Sequence, residues 1–333
     1  MLNFGVIGTG WITASFVASA HASNKWTLRA VYSRHPDTAK HFASKYETTD
    51  PIHIHTTLSS LASDPSVQAV YIASPNSLHY EQAKILLEAK KHVILEKPAT
   101  STSVELDKLF EIAKENEIML IEAYRHLHEC NFKALKAALP RLGPIYGASF
   151  TYAQYSSRYD AVLNGAVPNI FSLDYSGGAL VDLGVYPIAA AVSLFGAPTA
   201  QFYFPVMIST GADGGGLIVL QYEGFAVQIN ASKVYNSSAV SEVYGEKGTL
   251  AMPSITDIAS VKFLDARKKE TEEEVGGEKV HLNLLEEAVE FARVIEEGDR
   301  ERAGELEGIS RAVVRVTEDL RRRCGLVFKV EKE

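Results

Sequence analysis

A carboxylate, an ammonium and a proline close the short apolar run His92-Val93-Ile94-Leu95-Glu96-Lys97-Pro98. Consecutive apolar, β-branched residues read as a strand buried on both faces, so Glu96 and Lys97 fall at its carboxyl end. In open parallel sheets that end borders the ligand crevice, and an amine there is placed to act as acid or base. Pro98 pre-sets the exit and discourages further pairing. Taken alone, the stretch leaves a plain surface lysine as the other reading. A second pair lies downstream, where Gly177-Gly178 precede Asp182 and Tyr186. Read as a helix opened by the glycines, this stretch puts both side chains on one face, a carboxylate beside a phenol. A free phenol has a pKa of ~10, so Tyr186 serves near neutrality if a cation such as Lys97 lowers it or if it acts mainly as a proton donor. The competing reading is a tyrosine hydrogen-bonded for packing.

A third set precedes both. Residues 2–7 read as a strand that runs into Gly8-Thr9-Gly10-Trp11-Ile12-Thr13, with a helix to follow. This is the dinucleotide fingerprint in its required context. Gly8 permits the tight turn, and Gly10 lets a pyrophosphate approach free N–H groups at the helix start. Thr13 stands where the pattern prefers Gly or Ala. The next strand, 28–32, ends in Ser33-Arg34, and no Asp or Glu occurs between Gly10 and Asp37. The acid that usually holds a ribose 2′-hydroxyl is missing. Ser33 and Arg34 would instead hold a 2′-phosphate, which points to NADP, with NAD possible and an exposed loop arginine as the alternative.

Two histidine groups invite a metal. His53 and His55 alternate with Ile52 and Ile54, so both face one side of a strand, but with no third ligand nearby the expectation is a solvated face. His126 and Cys130 would lie on a different side of a helix from His128. No metal is expected.

The elements that would carry these groups follow from the apolar pattern. Strands at 2–7, 28–32, 52–56, 67–73, 92–95 and 118–122 alternate with helical stretches such as 80–89 and 103–116, which predicts a right-handed, doubly wound parallel sheet. Beyond Tyr124 a linker leads into a helix through Leu139. Strands at 148–155, 201–208, 217–222, 226–233, 241–244 and 249–252 then follow mostly without crossover helices, the pattern of one large antiparallel sheet. The charge-rich 268–279 reads as a solvated hairpin or loop, and two helices near 283–296 and 305–323 close the chain. The expected fold is α/β, an N-terminal Rossmann domain over 1–123 and a C-terminal α+β domain with a large, mostly antiparallel open sheet over 124–333.

Composition sets bounds. The 333 residues are 46% hydrophobic and 22% charged, and 33 basic against 41 acidic side chains give a net charge of −8. That balance argues against nucleic acid as a partner. Two cysteines, Cys130 and Cys324, are too few for a disulfide framework. The chain enters a strand pattern at Leu2, and no run reads as a signal peptide or membrane span. The expectation is a cytoplasmic protein with no membrane partner.

Gly8-x-Gly10, Ser74-Pro75-Asn76-x-x-His79 and Glu96-Lys97-Pro98, at these separations, resemble the glucose–fructose oxidoreductase / inositol dehydrogenase (Gfo/Idh/MocA) family. The resemblance covers the whole chain and is most specific over the first 125 residues. It implies that Lys97 contacts substrate and nicotinamide, and that Asn76 and His79 line the nicotinamide side of the cleft. Gly8, Gly10, Trp11, Ile12, Ser33, Arg34, Ser74, Asn76, His79, Glu96 and Lys97 would form the cofactor site. The family often has Asp-x-x-x-His where this chain has Asp182-x-x-x-Tyr186. The tyrosine is similar to the branch holding glucose–fructose oxidoreductase, dimeric dihydrodiol dehydrogenase and NADP-dependent xylose dehydrogenase.

The implied activity is an NADP-dependent oxidoreductase acting on a secondary alcohol or hemiacetal carbon of a sugar, polyol or related diol. Lys97 and Tyr186 would handle the hydroxyl proton and Asp182 would orient them. Arg125, Tyr155, Arg158, Asp182 and Tyr186 are the candidate substrate contacts, although Tyr155-Ser156-Ser157-Arg158-Tyr159 could equally be a plain surface loop. Some family members sense dinucleotides without turnover, and the retained Glu96-Lys97-Pro98 argues for an enzyme. Bulky apolar residues at neighbouring positions in 201–208 and 225–229 put apolar groups on both faces of the second sheet, from which a homodimer, possibly a dimer of dimers, is expected.

Overall fold

Six short apolar strands build the first sheet: β1 (Leu2–Ile7), β2 (Trp26–Tyr32), β3 (His53–His55), β4 (Ala69–Ile72), β5 (His92–Glu96) and β6 (Leu120–Ala123). A computed structural model describes residues 1–46, 50–268 and 272–332. All pairings in this sheet are parallel, in the order β3-β2-β1-β4-β5-β6, the doubly wound arrangement expected. The connections are α1 (Trp11–Ala22), α2 (Pro36–Ala43), α3 (Leu58–Ala62), α4 (His79–Glu88) and α5 (Ser103–Glu115). Ile7 stands in register with Tyr32 and Ile72, and Ile72 with Leu95. The residues that follow them, Gly8, Ser33, Ala73 and Glu96, therefore emerge along one edge of the sheet.

The core beneath is aromatic. Phe16 of α1 stacks on Tyr71 with ring centroids 4.0 Å apart, and Phe4 meets Phe16 and Trp26 edge to face. A buried indole N–H requires an acceptor. For Trp26 it is the carbonyl oxygen of Ala288, at 2.8 Å, on α9 (Leu285–Glu297). Ala288, Phe291 and Ala292 are buried in the same core.

That contact corrects the expected domain boundary. The chain forms two units, Met1–Arg125 with His281–Arg311, and His126–Val280 with Ala312–Glu333. Residues 281–311 thus belong with the first unit. The apolar stripe of α9 covers a sheet built some 250 residues earlier in the chain, a partnership that no local pattern reveals.

In the second unit, β7 (Ile145–Ala153), β8 (Ala200–Met207), β9 (Asp213–Tyr222), β10 (Phe225–Ser232), β11 (Ser241–Gly245), β12 (Gly248–Met252), β13 (Lys262–Asp265) and β14 (Glu272–Glu274) form one sheet in the order β14-β13-β12-β11-β7-β10-β9-β8. Only β7 and β10 pair in parallel. The hairpin or loop expected over 268–279 falls partly on 269–271, outside the described residues. Its exposed 272–274 is an edge strand, where Glu273 takes two hydrogen bonds from Arg141 at 3.0 and 2.5 Å. The helices of this part of the chain are α6 (Cys130–Ala138), α7 (Tyr159–Leu163) and α8 (Val185–Phe195), and α10 (Arg300–Arg323) is the last. The stretch Leu173–Phe195 is more apolar than expected, with a mean hydropathy of 1.7 in a window that is 67% buried inside the protein. Length and composition alone would let it cross a membrane, but its burial is that of a core helix.

Candidate active site

Gly8 has φ +100°, and a Cβ there would run into the carbonyl oxygen of Ala73 on the neighbouring strand. Only glycine makes this turn without strain. Gly10, extended at the start of α1, has open space where a Cβ would point. The first turn of α1 holds no acidic residue, so the free N–H groups and the helix dipole present an uncompensated positive end. Ile12 packs its side chain on the core, which leaves its backbone to a ligand, while Trp11 is 73% exposed.

From this turn a cleft of about 480 Å³ runs along the sheet edge, lined among others by Gly8, Ser33, Arg34, Ser74 and Leu78. The end of β2 contributes no carboxylate to it. A tight glycine turn, the helix start it leads into and the Arg34 guanidinium fit a dinucleotide, and Arg34 fits one with a further phosphate; the carboxylate in the lining is Glu81 of α4. Of the second motif, Ser74 gives its hydroxyl to Gln82 at 2.8 Å, and Asn76, half-buried, opens a short 3₁₀ turn.

His79 departs from the expectation. It is 1% exposed, with Nδ1 3.0 Å from the carbonyl oxygen of Pro98 and Nε2 2.9 Å from that of Ser74. Burial lowers its pKa. A ring so enclosed has no surface for a cofactor. It ties the turn after β4 to the turn after β5, and so braces the cleft.

Glu96 is likewise a brace. It is buried, takes a hydrogen bond from the Tyr71 hydroxyl at 2.5 Å and one from the Lys97 N–H at 3.2 Å. Burial raises its pKa, opposed by the charges of Lys97 and Arg125. Lys97 itself is half-buried at the sheet edge, ahead of a cis peptide to Pro98.

The second unit gathers the other candidates. Leu180–Gly184 is a π-helix, followed directly by α8. The wider turn changes which residues share a face, so the simple four-residue argument for Asp182 and Tyr186 does not carry over. Asp182 instead forms an ion pair with Lys233, whose side chain is 6% exposed, at the end of β10. Lys233 also lies over the Phe171 ring at 5.6 Å. The sequence reading missed Lys233, since nothing local marks a lysine that follows a strand as the partner of a carboxylate 51 residues earlier.

The Tyr186 ring packs edge to face on His126 at 5.2 Å and on Tyr152 at 5.6 Å, and its carbonyl lies 2.9 Å from His126 Nε2. The π-helix is anchored from below by Asp213, fully buried, which accepts hydrogen bonds from the Leu180 N–H at 2.6 Å and the Tyr203 hydroxyl at 2.7 Å. Gly178, at φ +140°, makes room for that carboxylate, with which a Cβ would collide. Tyr155 gives its hydroxyl to Asp160 at 2.7 Å, and Arg158 is exposed.

The π-helix and the ion pair give a firmly held carboxylate beside an aromatic cluster; the first unit gives a cleft along the sheet edge and an amine just past the end of β5. Among the described residues a single His/Cys/carboxylate group is tight enough to hold an ion, and it is neither of these: Asp64 joins His53 and His55. The expectation that they lacked a third partner is therefore corrected.

Known proteins place the chain. Residues 2–124 match the oxidoreductase family with an NAD-binding Rossmann fold, and residues 133–251 match the GFO/IDH/MocA C-terminal domain. The chain is 37% identical to an uncharacterized oxidoreductase, YgjR, of Escherichia coli K12 over 99% of both chains. It is 36% identical to the scyllo-inositol 2-dehydrogenase (NADP(+)) IolU of Bacillus subtilis over 100% of both. Its fold is similar to KijD10, a 3-ketoreductase from Actinomadura kijaniata solved with NADP and TDP-benzene, with a TM-score of 0.79, 25% identity and coverage of 96% and 97%. With both halves matched in order and a doubly wound first sheet beneath the glycine turn, the chain belongs to the GFO/IDH/MocA oxidoreductase family.

Proposed function

We propose that the protein is an NADP-dependent dehydrogenase or reductase of a secondary alcohol or hemiacetal carbon in a sugar, cyclic polyol or related diol. The observation that carries this reading is the cleft running from Gly8 to Ser33 and Arg34, to which β2 brings a cation and no carboxylate. The full-length likeness to an NADP-linked inositol dehydrogenase supports the substrate class.

In this reading the first unit binds the dinucleotide and the second the substrate. When bound, NADP supplies the hydride acceptor or donor. Lys97 is the proton-handling residue of the first unit; in the second, Tyr186 offers a phenol and Asp182, held by Lys233, accepts from a substrate hydroxyl. Arg125, Tyr155 and Arg158 contribute outer substrate contacts. The test is the purified protein with NADP or NAD against aldoses, inositols and diols, followed by nicotinamide absorbance. Turnover on one class supports the proposal; tight NADP binding without turnover on any of them would favour a sensor.

Arg34→Ala is expected to weaken NADP much more than NAD, because a charge-assisted contact to a phosphate is lost and only NADP has the phosphate. Fluorescence titration with both cofactors decides it, and equal losses would remove the 2′-phosphate role from Arg34.

The second sheet leaves Phe202, Phe204, Val206, Met207 and Leu217 exposed on β8 and β9, with Phe204 at 62%. Such a patch suits an isologous dimer. Light scattering at micromolar concentration is expected to give about twice 36.4 kDa, and a stable monomer would overturn the assignment.

A further inference from the structure

Strand β3 is an edge strand of the first sheet, and its alternation sends His53 and His55 to the same face. The chain turns through α3 and brings Asp64 to them. One oxygen of that carboxylate, Oδ2, lies 2.7 Å from His53 Nδ1 and 2.9 Å from His55 Nε2, and the three donor atoms all lie within 4.8 Å of one another. We propose that His53, His55 and Asp64 form a binding site for one divalent transition-metal ion of the zinc type.

The surroundings are those of a built site. Asp64 is 5% exposed, and its other oxygen, Oδ1, is held by the Ser66 N–H at 2.9 Å and the Ser66 hydroxyl at 2.6 Å. Oδ2 is thereby aimed at the histidines.

His55 carries the outer contact that ligating histidines usually have. Its Nδ1 lies 3.1 Å from Ser60 Oγ, and the Ser60 hydroxyl donates onward to the Thr57 carbonyl oxygen at 2.9 Å. His53 Nδ1 and His55 Nε2 converge on the one Asp64 oxygen that Ser66 leaves uncovered, an arrangement in which a cation takes the place of the protons between them. The nearby Lys91 ammonium does not occupy the position, since it donates to the backbone carbonyls of Asp64 and Val67 at 2.7 Å each.

Two imidazoles and one carboxylate match zinc and its borderline neighbours rather than calcium or magnesium, which take oxygen ligands. Zinc bonds of about 2.0–2.1 Å set tetrahedral ligands ~3.3 Å apart. Admitting an ion thus moves each histidine nitrogen about half an ångström away from Asp64 Oδ2, a small side-chain rotation. The His53 side chain is 51% exposed and Asp64 is buried, so an ion would enter from solvent and keep water in its fourth position. The site would tie the edge strand to the connection before β4, and would be separate from the proposed hydride chemistry.

The test uses the untagged full-length protein, stripped with a chelator, dialysed and titrated with zinc chloride by calorimetry. One equivalent is expected to bind, and His53→Gln and His55→Gln should each weaken binding at least tenfold, while His41→Gln on exposed α2 leaves it unchanged. The half-exposed position of His53 makes folding of that variant secure, and circular dichroism checks both. No saturable uptake by the wild-type protein, or equal uptake by wild type and His53→Gln, would overturn the site.

Discussion

Replacing Lys97 by Met is expected to lower turnover about 10²- to 10⁴-fold, the range that one positioned acid–base group contributes, and to leave NADP affinity nearly unchanged. The methionine keeps the length and apolar stem of the lysine and removes only its charge and donors. The turn around it is fixed by other groups: Glu96, buried below it, is held by Tyr71, and His79 is braced against the Pro98 carbonyl. The substitution should therefore remove chemistry rather than structure. Steady-state rates on the best substrate of the panel, with cofactor titration in parallel, would show it. A variant with near-wild-type turnover would take Lys97 out of the proton path.

Glu122→Gln is expected to remove a loss of stability that the wild type suffers between mildly acidic and neutral pH. Glu122 lies on β6, 4% exposed, and accepts a hydrogen bond from the Ala99 N–H at 2.7 Å. Burial lifts its pKa from the usual 4.5 to about 7, against the pull of the Ser310 and Ala99 hydrogen bonds. The protonated form is thus favoured by folding. The stabilisation is fully present below about pH 4.5, where both states hold the proton, and is lost as the pH rises through about 7. Between pH 5 and 8 the loss amounts to roughly 2–3 kcal/mol at about 1.4 kcal/mol per tenfold change. Glutamine keeps the acceptor for Ala99 and never ionises. Urea unfolding should show the wild type falling relative to Glu122→Gln across this interval, and parallel curves would refute the buried proton.

What could be read in advance was local. Gly8, Gly10 and Lys97 were legible because a turn that needs positive φ, an open helix start and a strand that ends in a cation are each written within a few adjacent residues. The parallel first sheet and the largely antiparallel second one followed from the presence or absence of helices between apolar runs. What failed to show was long-range or a matter of hydrogen-bond register. Asp64 reaches His53 and His55 only after α3 turns the chain, and Lys233 meets Asp182 only because β10 ends beside the π-helix. The π-helix itself has the composition of an α-helix. Its widened turn is set by tertiary packing, with Asp213 at its first N–H. His79 was misjudged for a related reason: a histidine in a cofactor motif and one bracing the loop behind it have the same sequence, and only burial separates them.

The return of residues 281–311 to the first unit has a consequence for the order of synthesis. Translation delivers residues 126–280 before it delivers α9. Until then the indole of Trp26 lacks the Ala288 carbonyl, and the face of the sheet that Phe291 covers is open. The usual order, in which the N-terminal domain completes itself first, cannot hold for this chain. Its second sheet can begin to assemble while the first is still uncovered. A nascent chain halted after residue 280 should expose that aromatic surface to chaperones, and release of one more helix from the ribosome should close it.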